Sequence, residues 1–159
     1  MAAKAIVRLL IDDRFGVFAK RSIAGVLGAL GERSVAEDLV LLLADERLHV
    51  YIRMSIADAL GRLAEPSVAG ELVQLLTDEQ LDVDLRKSIA GALAAFAHDI
   101  SIVEGLIKSL QDKEISDSVY SALWTMSRRM GIWIFPMHLT DQSRNVKQSQ
   151  AQYEIVPWE

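Results

Sequence analysis

Few side chains in this sequence have the types and spacing of a catalytic or metal-binding site. The three histidines, His49, His98 and His138, are far apart, and none has another histidine three or four residues away. Metal binding and acid–base catalysis need such partners close together. The sequence also has no cysteine and no phosphate-binding loop of the form Gly-x-x-x-x-Gly-Lys-Ser/Thr. We therefore predict that the protein is not an enzyme, with no catalytic, cofactor-binding or metal-binding residues.

Three further sets of polar residues, serines, paired acids and bases, recur at a spacing of 33 residues. The serines have no neighbouring histidine to act as a base, so a nucleophilic role is not indicated. Paired acidic residues that recur with a repeat are typical of a turn or helix end. The basic residues of the repeat can form a ladder of ion pairs with these acids between neighbouring units. The serines are Ser22, Ser55 and Ser88; the acids are Asp12-Asp13, Asp45-Glu46 and Asp78-Glu79; the bases are Lys20, Arg53 and Arg86.

The same 33-residue period runs through the apolar residues. RSIAGVLGAL at 21–30 returns as MSIADALGRL at 54–63 and as KSIAGALAAF at 87–96. A fixed period of this size is the signature of helical repeats, each of which buries its apolar face only by stacking on its neighbours. Within each repeat the apolar columns fall at i, i+4 and i+7, which is the buried stripe of an amphipathic helix. The buried columns of the second helices are predicted at Ile23, Ile56 and Ile89; Leu27, Leu60 and Leu93; and Leu30, Leu63 and Phe96.

The pattern predicts four helix pairs. Ser34 with Glu37, and Ser101 with Glu104, have the spacing of a capping box, which predicts helix starts at both serines. Pro66 is at a position where a first-turn proline is tolerated, so a helix is predicted to start there. The predicted helices are 2–12, 17–30, 34–44, 49–63, 66–77, 82–96, 101–111 and 115–130.

The order of residues within the repeat resembles a known family. An acidic residue ends the first helix at Asp45, a basic residue begins the second at Arg53, and Ala57-Asp58-Ala59-Leu60-Gly61 follows; Asp78, Arg86 and Ala90-Gly91-Ala92-Leu93-Ala94 repeat the pattern. This resembles the short bacterial HEAT-like repeat of the phycobilisome-lyase type, over residues 2–130. The resemblance implies an all-α fold, a right-handed α-solenoid. We expect a HEAT-like repeat domain at 1–130 and a non-repeat tail at 131–159, partly docked or disordered.

Charge and hydropathy narrow the classes of partner. The chain has a net charge of −5 at 159 residues, and its first 130 residues hold 15 basic and 19 acidic residues. Proteins that wrap nucleic acid normally show a basic stripe, so no nucleic-acid partner is expected. No apolar run approaches the length of a membrane-spanning helix, and no export signal begins the chain. We expect no membrane association and a cytoplasmic location.

The absence of catalytic chemistry favours a scaffold or adaptor that binds a protein. The second helices are expected to form the concave binding surface, with Arg21, Met54, Asp58, Arg62 and Lys87 as its partner-binding residues. The resemblance leaves two alternatives open. One is a bilin lyase or lyase chaperone of the phycobilisome type, and the other is the C-terminal sensor arm of a larger NACHT-type signalling NTPase.

Two ends of the chain carry further expectations. The helix predicted at 2–12 has apolar residues around most of its circumference, which indicates a longer array or self-association through that helix. The tail has apolar stretches at 131–136 and 153–158 joined by a polar stretch. These stretches can pair as a small ribbon, pack on the last helix, or act as a linear binding motif. We expect docking, because Trp133, Phe135 and Trp158 would otherwise leave a large apolar surface exposed.

Overall fold

The helical periodicity of the sequence corresponds to real helices over most of the chain. The computed structural model describes residues 2–96, 99–136 and 153–157. Within these ranges the fold is almost entirely α-helical. Its α-helices are α1 (Ala2–Val7), α2 (Val17–Leu30), α3 (Ala36–Ala44), α4 (Val50–Leu63), α5 (Ala69–Thr77), α6 (Val83–Leu93), α7 (Ile100–Ser109) and α8 (Ser116–Met130).

The largest differences from the predicted bounds are at helix ends. The helix predicted at 2–12 is α-helical only to Val7 and continues as a 3-10 turn at Arg8–Leu10. Similar 3-10 turns, Arg33–Val35 and Pro66–Val68, precede α3 and α5. α6 ends at Leu93 rather than at 96. Terminal turns often tighten in this way because their backbone groups lack intrahelical partners.

The two predicted capping boxes are wrong. No side chain caps the start of α3, where Ser34 lies inside a 3-10 turn. At α7 the cap is Asp99, whose carboxylate accepts hydrogen bonds from the backbone N–H of Ser101 at 2.9 Å and from its hydroxyl at 2.6 Å. The hydroxyl bond, followed by the backbone bond, lowers the pKa of Asp99. An ionised carboxylate is a stronger acceptor than a serine hydroxyl, so the aspartate caps the helix.

The helices pack in two layers that follow the order of the sequence. The second helices pack side by side in the order α2, α4, α6, α8, while α3 packs on α5 and α5 on α7. Within each pair the first helix packs on the second, as α1 on α2 and α3 on α4. Two successive second-helix joints use the same close contact. A Cβ added at Gly28 would lie 2.8 Å from the Cα of Ala59, and one at Gly61 would lie 2.9 Å from the Cα of Ala92.

The core is the apolar stripe that the repeat places between the layers. Ile56, Leu60 and Leu93 are fully buried, as the register predicts. Leu30 was predicted to share this stripe, and that prediction is wrong because its side chain is 53% exposed. The helix end does not explain this exposure, because the equivalent Leu63 also ends its helix before a left-handed residue, Ala64, and is buried.

A short antiparallel ribbon follows the last helix. β1 (Ile132–Pro136) pairs with β2 (Tyr153–Pro157), with Ile134 opposite Ile155, and β1 packs against α8. This is the ribbon that the two apolar stretches of the tail allow. Trp158, which we expect to dock, lies outside the described residues. Across the described ranges, no helix combines the length and the apolar character needed to cross a membrane.

Candidate protein-binding face

Residues of α2, α4, α6 and α8 that point away from the first helices form one surface, which we call the second-helix face. Serines occupy the same position on three of its helices, and each donates its hydroxyl hydrogen to the carbonyl four residues earlier: Ser22 to Phe18, Ser55 to Tyr51 and Ser88 to Asp84, at 3.0 to 3.1 Å. The hydroxyls are thereby bound to their own helices. A nucleophilic role is not indicated by this geometry.

The five predicted partner-binding residues all lie on this face, with different exposures. Arg21, Asp58 and Arg62 are exposed. Lys87 is half-buried and its Nζ lies 3.7 Å from the Asp84 carboxylate. Met54 is also half-buried and packs partly against the core, so its truncation would lower the stability of the fold as well as remove exposed contact area. Arg21 lies on α2, Met54 on α4 and Lys87 on α6, so the predicted residues are spread over three helix pairs.

Sequence reasoning missed an aromatic feature of the face. Phe18 and Tyr51 occupy equivalent positions, 33 residues apart, at the starts of α2 and α4, and they are 84% and 53% exposed. Arg21 reaches across the joint: its guanidinium carbon lies 5.8 Å from the centre of the Tyr51 ring, and its Nε donates to the Ser55 hydroxyl at 3.3 Å. The sequence did carry a signal, because both aromatic residues fall outside the predicted buried stripe and are therefore expected to be exposed.

His49 has a local role at the edge of this cluster. It caps α4, its Nδ1 accepts from the backbone N–H of Tyr51 at 3.3 Å, and its ring stacks on the Tyr51 ring with centres 5.2 Å apart. His98 and His138 lie outside the described residues. In the part of the chain that the structure describes, no three His, Cys, Asp or Glu residues are grouped so that they could hold a metal ion.

The recurring aspartates form turns in every helix pair. Asp12, Asp45, Asp78 and Asp112 each accept a hydrogen bond from the backbone N–H two residues later, at 2.9 to 3.0 Å. The side chains of Arg14 and Arg47, together with these backbone bonds, lower the pKa values of Asp12 and Asp45 to about 2. A carboxyl that stays ionised in this way is poorly suited to general acid catalysis near neutral pH. The first aspartate of each acidic pair therefore serves its turn.

The predicted ladder of ion pairs is present at one joint of the described structure. Arg86 is buried, its Nε donates to the carbonyl of Leu76 at 2.8 Å, and its Nη2 lies 2.7 Å from Asp112 in the following pair. Arg53 makes the equivalent bond to the carbonyl of Leu43 at 2.7 Å. Its Nη2, however, is buried without a hydrogen-bond partner among the described protein atoms. Lys20 is buried, and its charge contributes to the low pKa of Asp12.

Two depressions accompany these features, and neither resembles an enclosed active site. One of about 330 Å³ lies on the second-helix face between α6 and α8, lined by Lys87, small residues and hydroxyls. A larger one of about 660 Å³ lies at the turns of the last two pairs and contains the Arg86–Asp112 ion pair with side chains of both charges. Both are open, and the larger one is lined mainly by charged and polar side chains, whereas small-molecule sites are concave and mostly apolar.

Comparison with known proteins adds no family to this description. No protein-family model matches the chain, and no curated protein matches it with significant similarity.

Proposed function

We propose that this chain is a non-enzymatic protein-binding scaffold or adaptor. Its four helix pairs stack as a right-handed α-solenoid of the HEAT type, and the concave second-helix face binds the partner. Arg21, Met54, Asp58, Arg62 and Lys87 are the proposed contact residues. The observation that carries the proposal is an exposed face shared by successive helices, on which the rings of Phe18 and Tyr51 stand in repeat register and Arg21 lies across the joint against Tyr51.

The repeated joint supports the solenoid. Gly28 meets Ala59 as Gly61 meets Ala92, so the α2–α4 contact recurs at α4–α6 after 33 residues. Equal contacts at equal intervals apply the same rotation at each step, and repetition of one rotation produces a superhelix. The two glycines allow the second helices to approach closely, which favours the second-helix layer as the inner, concave side.

The composition of the face supports a protein partner. Aromatic residues, methionine and arginine are the residue types enriched at protein–protein interfaces, and Phe18, Tyr51, Met54 and Arg21 are of these types. Exposed acidic residues, Asp58 and Asp84, lie on the same face. A nucleic-acid backbone would be repelled by them, whereas a protein can match a mixed pattern of charges.

The proposal is tested by capturing the partner on the face and then changing the charge of the face. A photo-crosslinking amino acid at position 58 should capture a partner protein from the source cell, and the same group at position 108, on α7, should not. Arg62→Glu and Lys87→Glu should then weaken the purified complex about tenfold or more, mainly through the association rate, with unfolding temperatures nearly unchanged. Lys108→Glu is the matched control on the other layer.

Three outcomes would contradict the proposal. The first is a complex that survives both reversals and is lost with Lys108→Glu. The second is tight, salt-sensitive binding of DNA or RNA at physiological ionic strength. The third is turnover that survives purification and disappears with one point substitution. An absorbance change on mixing with a bilin would favour the lyase alternative, and a NACHT-type NTPase domain in the same reading frame would favour the sensor-arm alternative.

A further inference from the structure

Arg21 is held on the second-helix face by two contacts that leave its charge uncompensated. Its Nε donates to the Ser55 hydroxyl, which in turn donates to the Tyr51 carbonyl, and its guanidinium lies near the Tyr51 ring. Such stacking and hydrogen bonding fix the direction of a guanidinium without neutralising it. The remaining N–H groups are available to an outside acceptor.

Three other arginines among the described residues have carboxylate partners. Arg14 and Arg47 each make a two-pronged contact with the aspartate two residues before, and Arg86 pairs with Asp112. Within the described ranges, no carboxylate lies within ion-pair distance of Arg21. Arg21 therefore combines a fixed position, an exposed location and an unpaired charge, and the rings of Phe18 and Tyr51 stand beside it.

Gly25, one turn after Arg21, adds an independent observation. It lies in the interior of α2, where glycine destabilises a helix relative to alanine. A Cβ added there would meet no atom within 4 Å, in contrast to the crowded site at Gly28. Packing within the chain therefore gives no reason for this glycine. A partner whose chain passes close to the backbone of α2 does give one.

We propose that Phe18, Arg21 and Tyr51 form the energetic centre of the interface and that they bind a polypeptide segment with one carboxylate next to an apolar side chain. One carboxylate opposite Arg21 fits the mixed charges of a face that also carries the exposed Asp58 and Asp84. A carboxylate of that segment pairs with Arg21, an apolar side chain next to it packs on the rings of Phe18 and Tyr51, and the segment's backbone passes over Gly25. This inference rests on the proposed function and specifies its partner. Arginine and large aromatic residues dominate binding energy at interfaces, and a carboxylate matches the fork of a guanidinium.

The test is a selection of peptides against the intact protein. Random 12-residue peptides displayed on phage are selected on the immobilised full chain, and the enriched peptides are synthesised for affinity measurement by fluorescence anisotropy. We expect enrichment of Asp or Glu next to Phe, Trp, Leu or Ile. Arg21→Glu should weaken binding of these peptides at least tenfold, Phe18→Ala and Tyr51→Ala should each weaken it severalfold, and Lys108→Glu should leave it unchanged. Circular dichroism and unfolding temperature confirm that each variant is folded.

A pair of glycine variants separates binding from folding. Gly25→Ala should keep or raise the unfolding temperature and weaken the peptides severalfold, because the new methyl group stands where the peptide backbone passes. Gly70→Ala, on α5, where an added Cβ also meets nothing, should keep the stability and the affinity. Equal affinities of the two variants would overturn the proposed course of the peptide over α2.

The remaining outcomes distinguish this inference from the proposed function. The proposed contact between a carboxylate and Arg21 is overturned if the enriched peptides lack acidic residues. It is also overturned if they bind Arg21→Glu as well as the native chain. If those peptides lose their affinity with Lys87→Glu instead, the second-helix face still binds protein, and only the location of the energetic centre at Arg21 is wrong. A single-stranded oligothymidylate that binds at physiological salt and is released by Arg21→Glu overturns both proposals.

Discussion

At the scale of single residues, two leucines in neighbouring helices differ sharply in burial. Leu60 is fully buried in α4, whereas Leu41 in α3 is 70% exposed. Leu60→Ala should lower the free energy of unfolding by roughly 2 to 5 kcal/mol through lost burial and a residual cavity. The same substitution at Leu41 should cost less than about 0.5 kcal/mol. Urea unfolding of both variants checks this, and equal losses would show that the assigned helix faces are wrong.

Glycines in equivalent helices should respond to alanine with opposite signs. Gly61→Ala places a methyl group against the backbone of Ala92, so we expect a loss of about 1 to 3 kcal/mol despite the better helix propensity of alanine. Gly91→Ala meets no neighbouring atom, so propensity alone acts and a gain of about 0.5 to 1 kcal/mol is expected. Thermal or urea unfolding gives the two signs, and a stabilising Gly61→Ala would contradict the close α4–α6 contact.

At the scale of the connecting elements, the aspartate turns make stability depend on acid pH. The pKa of Asp45 is about 2 in the folded chain, below its ordinary value of 3.8, mainly because Arg47 donates to it. A carboxyl whose pKa is lower in the folded state adds stability above its ordinary pKa. That contribution is lost as the pH falls from about 4 towards 2. Asp45→Asn and Arg47→Met should therefore flatten the decline of the urea midpoint between pH 5 and pH 2. A decline as steep as that of the native chain would contradict the turn geometry.

The two buried arginines predict unequal joints between helix pairs. Arg86 bonds to Leu76 and to Asp112, whereas Arg53 bonds to Leu43 and leaves one nitrogen unsatisfied. Arg53→Met also removes a buried nitrogen that lacks a partner, which partly offsets the lost hydrogen bond to Leu43. The free energy of unfolding should therefore fall by less than about 1 kcal/mol. Arg86→Met loses both contacts and should cost more. Urea unfolding of the two variants compares them directly, and equal losses would argue against the Asp112 contact.

The helix positions were predictable because the side chains that a helix buries are apolar and recur at the helical period. The caps were harder to predict, since Asp99 and Ser101 are both capping residue types and only the geometry of the turn decides between them. The Arg21–Tyr51 contact joins residues of two helix pairs. Its formation depends on how the pairs are rotated relative to each other, which periodicity alone does not give.

At the scale of the whole molecule, the proposed solenoid implies that one 33-residue unit can be deleted while the rest of the fold is kept. Deleting residues 34–66 joins Arg33 to Ser67 in register and leaves Gly28 to pack on Ala92 in place of Ala59. We expect this chain to unfold cooperatively at a lower temperature, with the helical circular dichroism expected for one pair fewer. Deleting residues 34–49 instead leaves α4 without α3, and that chain should not fold cooperatively. Loss of cooperative unfolding in both deletions would argue against interchangeable units.

The sequential packing of the helices also has a kinetic consequence. Each helix meets helices one or two elements away in the chain, so the loops that must close to form native contacts are short. Chains dominated by such local contacts lose little entropy before they gain packing energy, and they fold quickly. α4, which packs on α2, α3 and α6, can nucleate with residues that lie within about three dozen positions on either side. Folding of this chain can therefore begin on the ribosome, before the last helix pair has been synthesised.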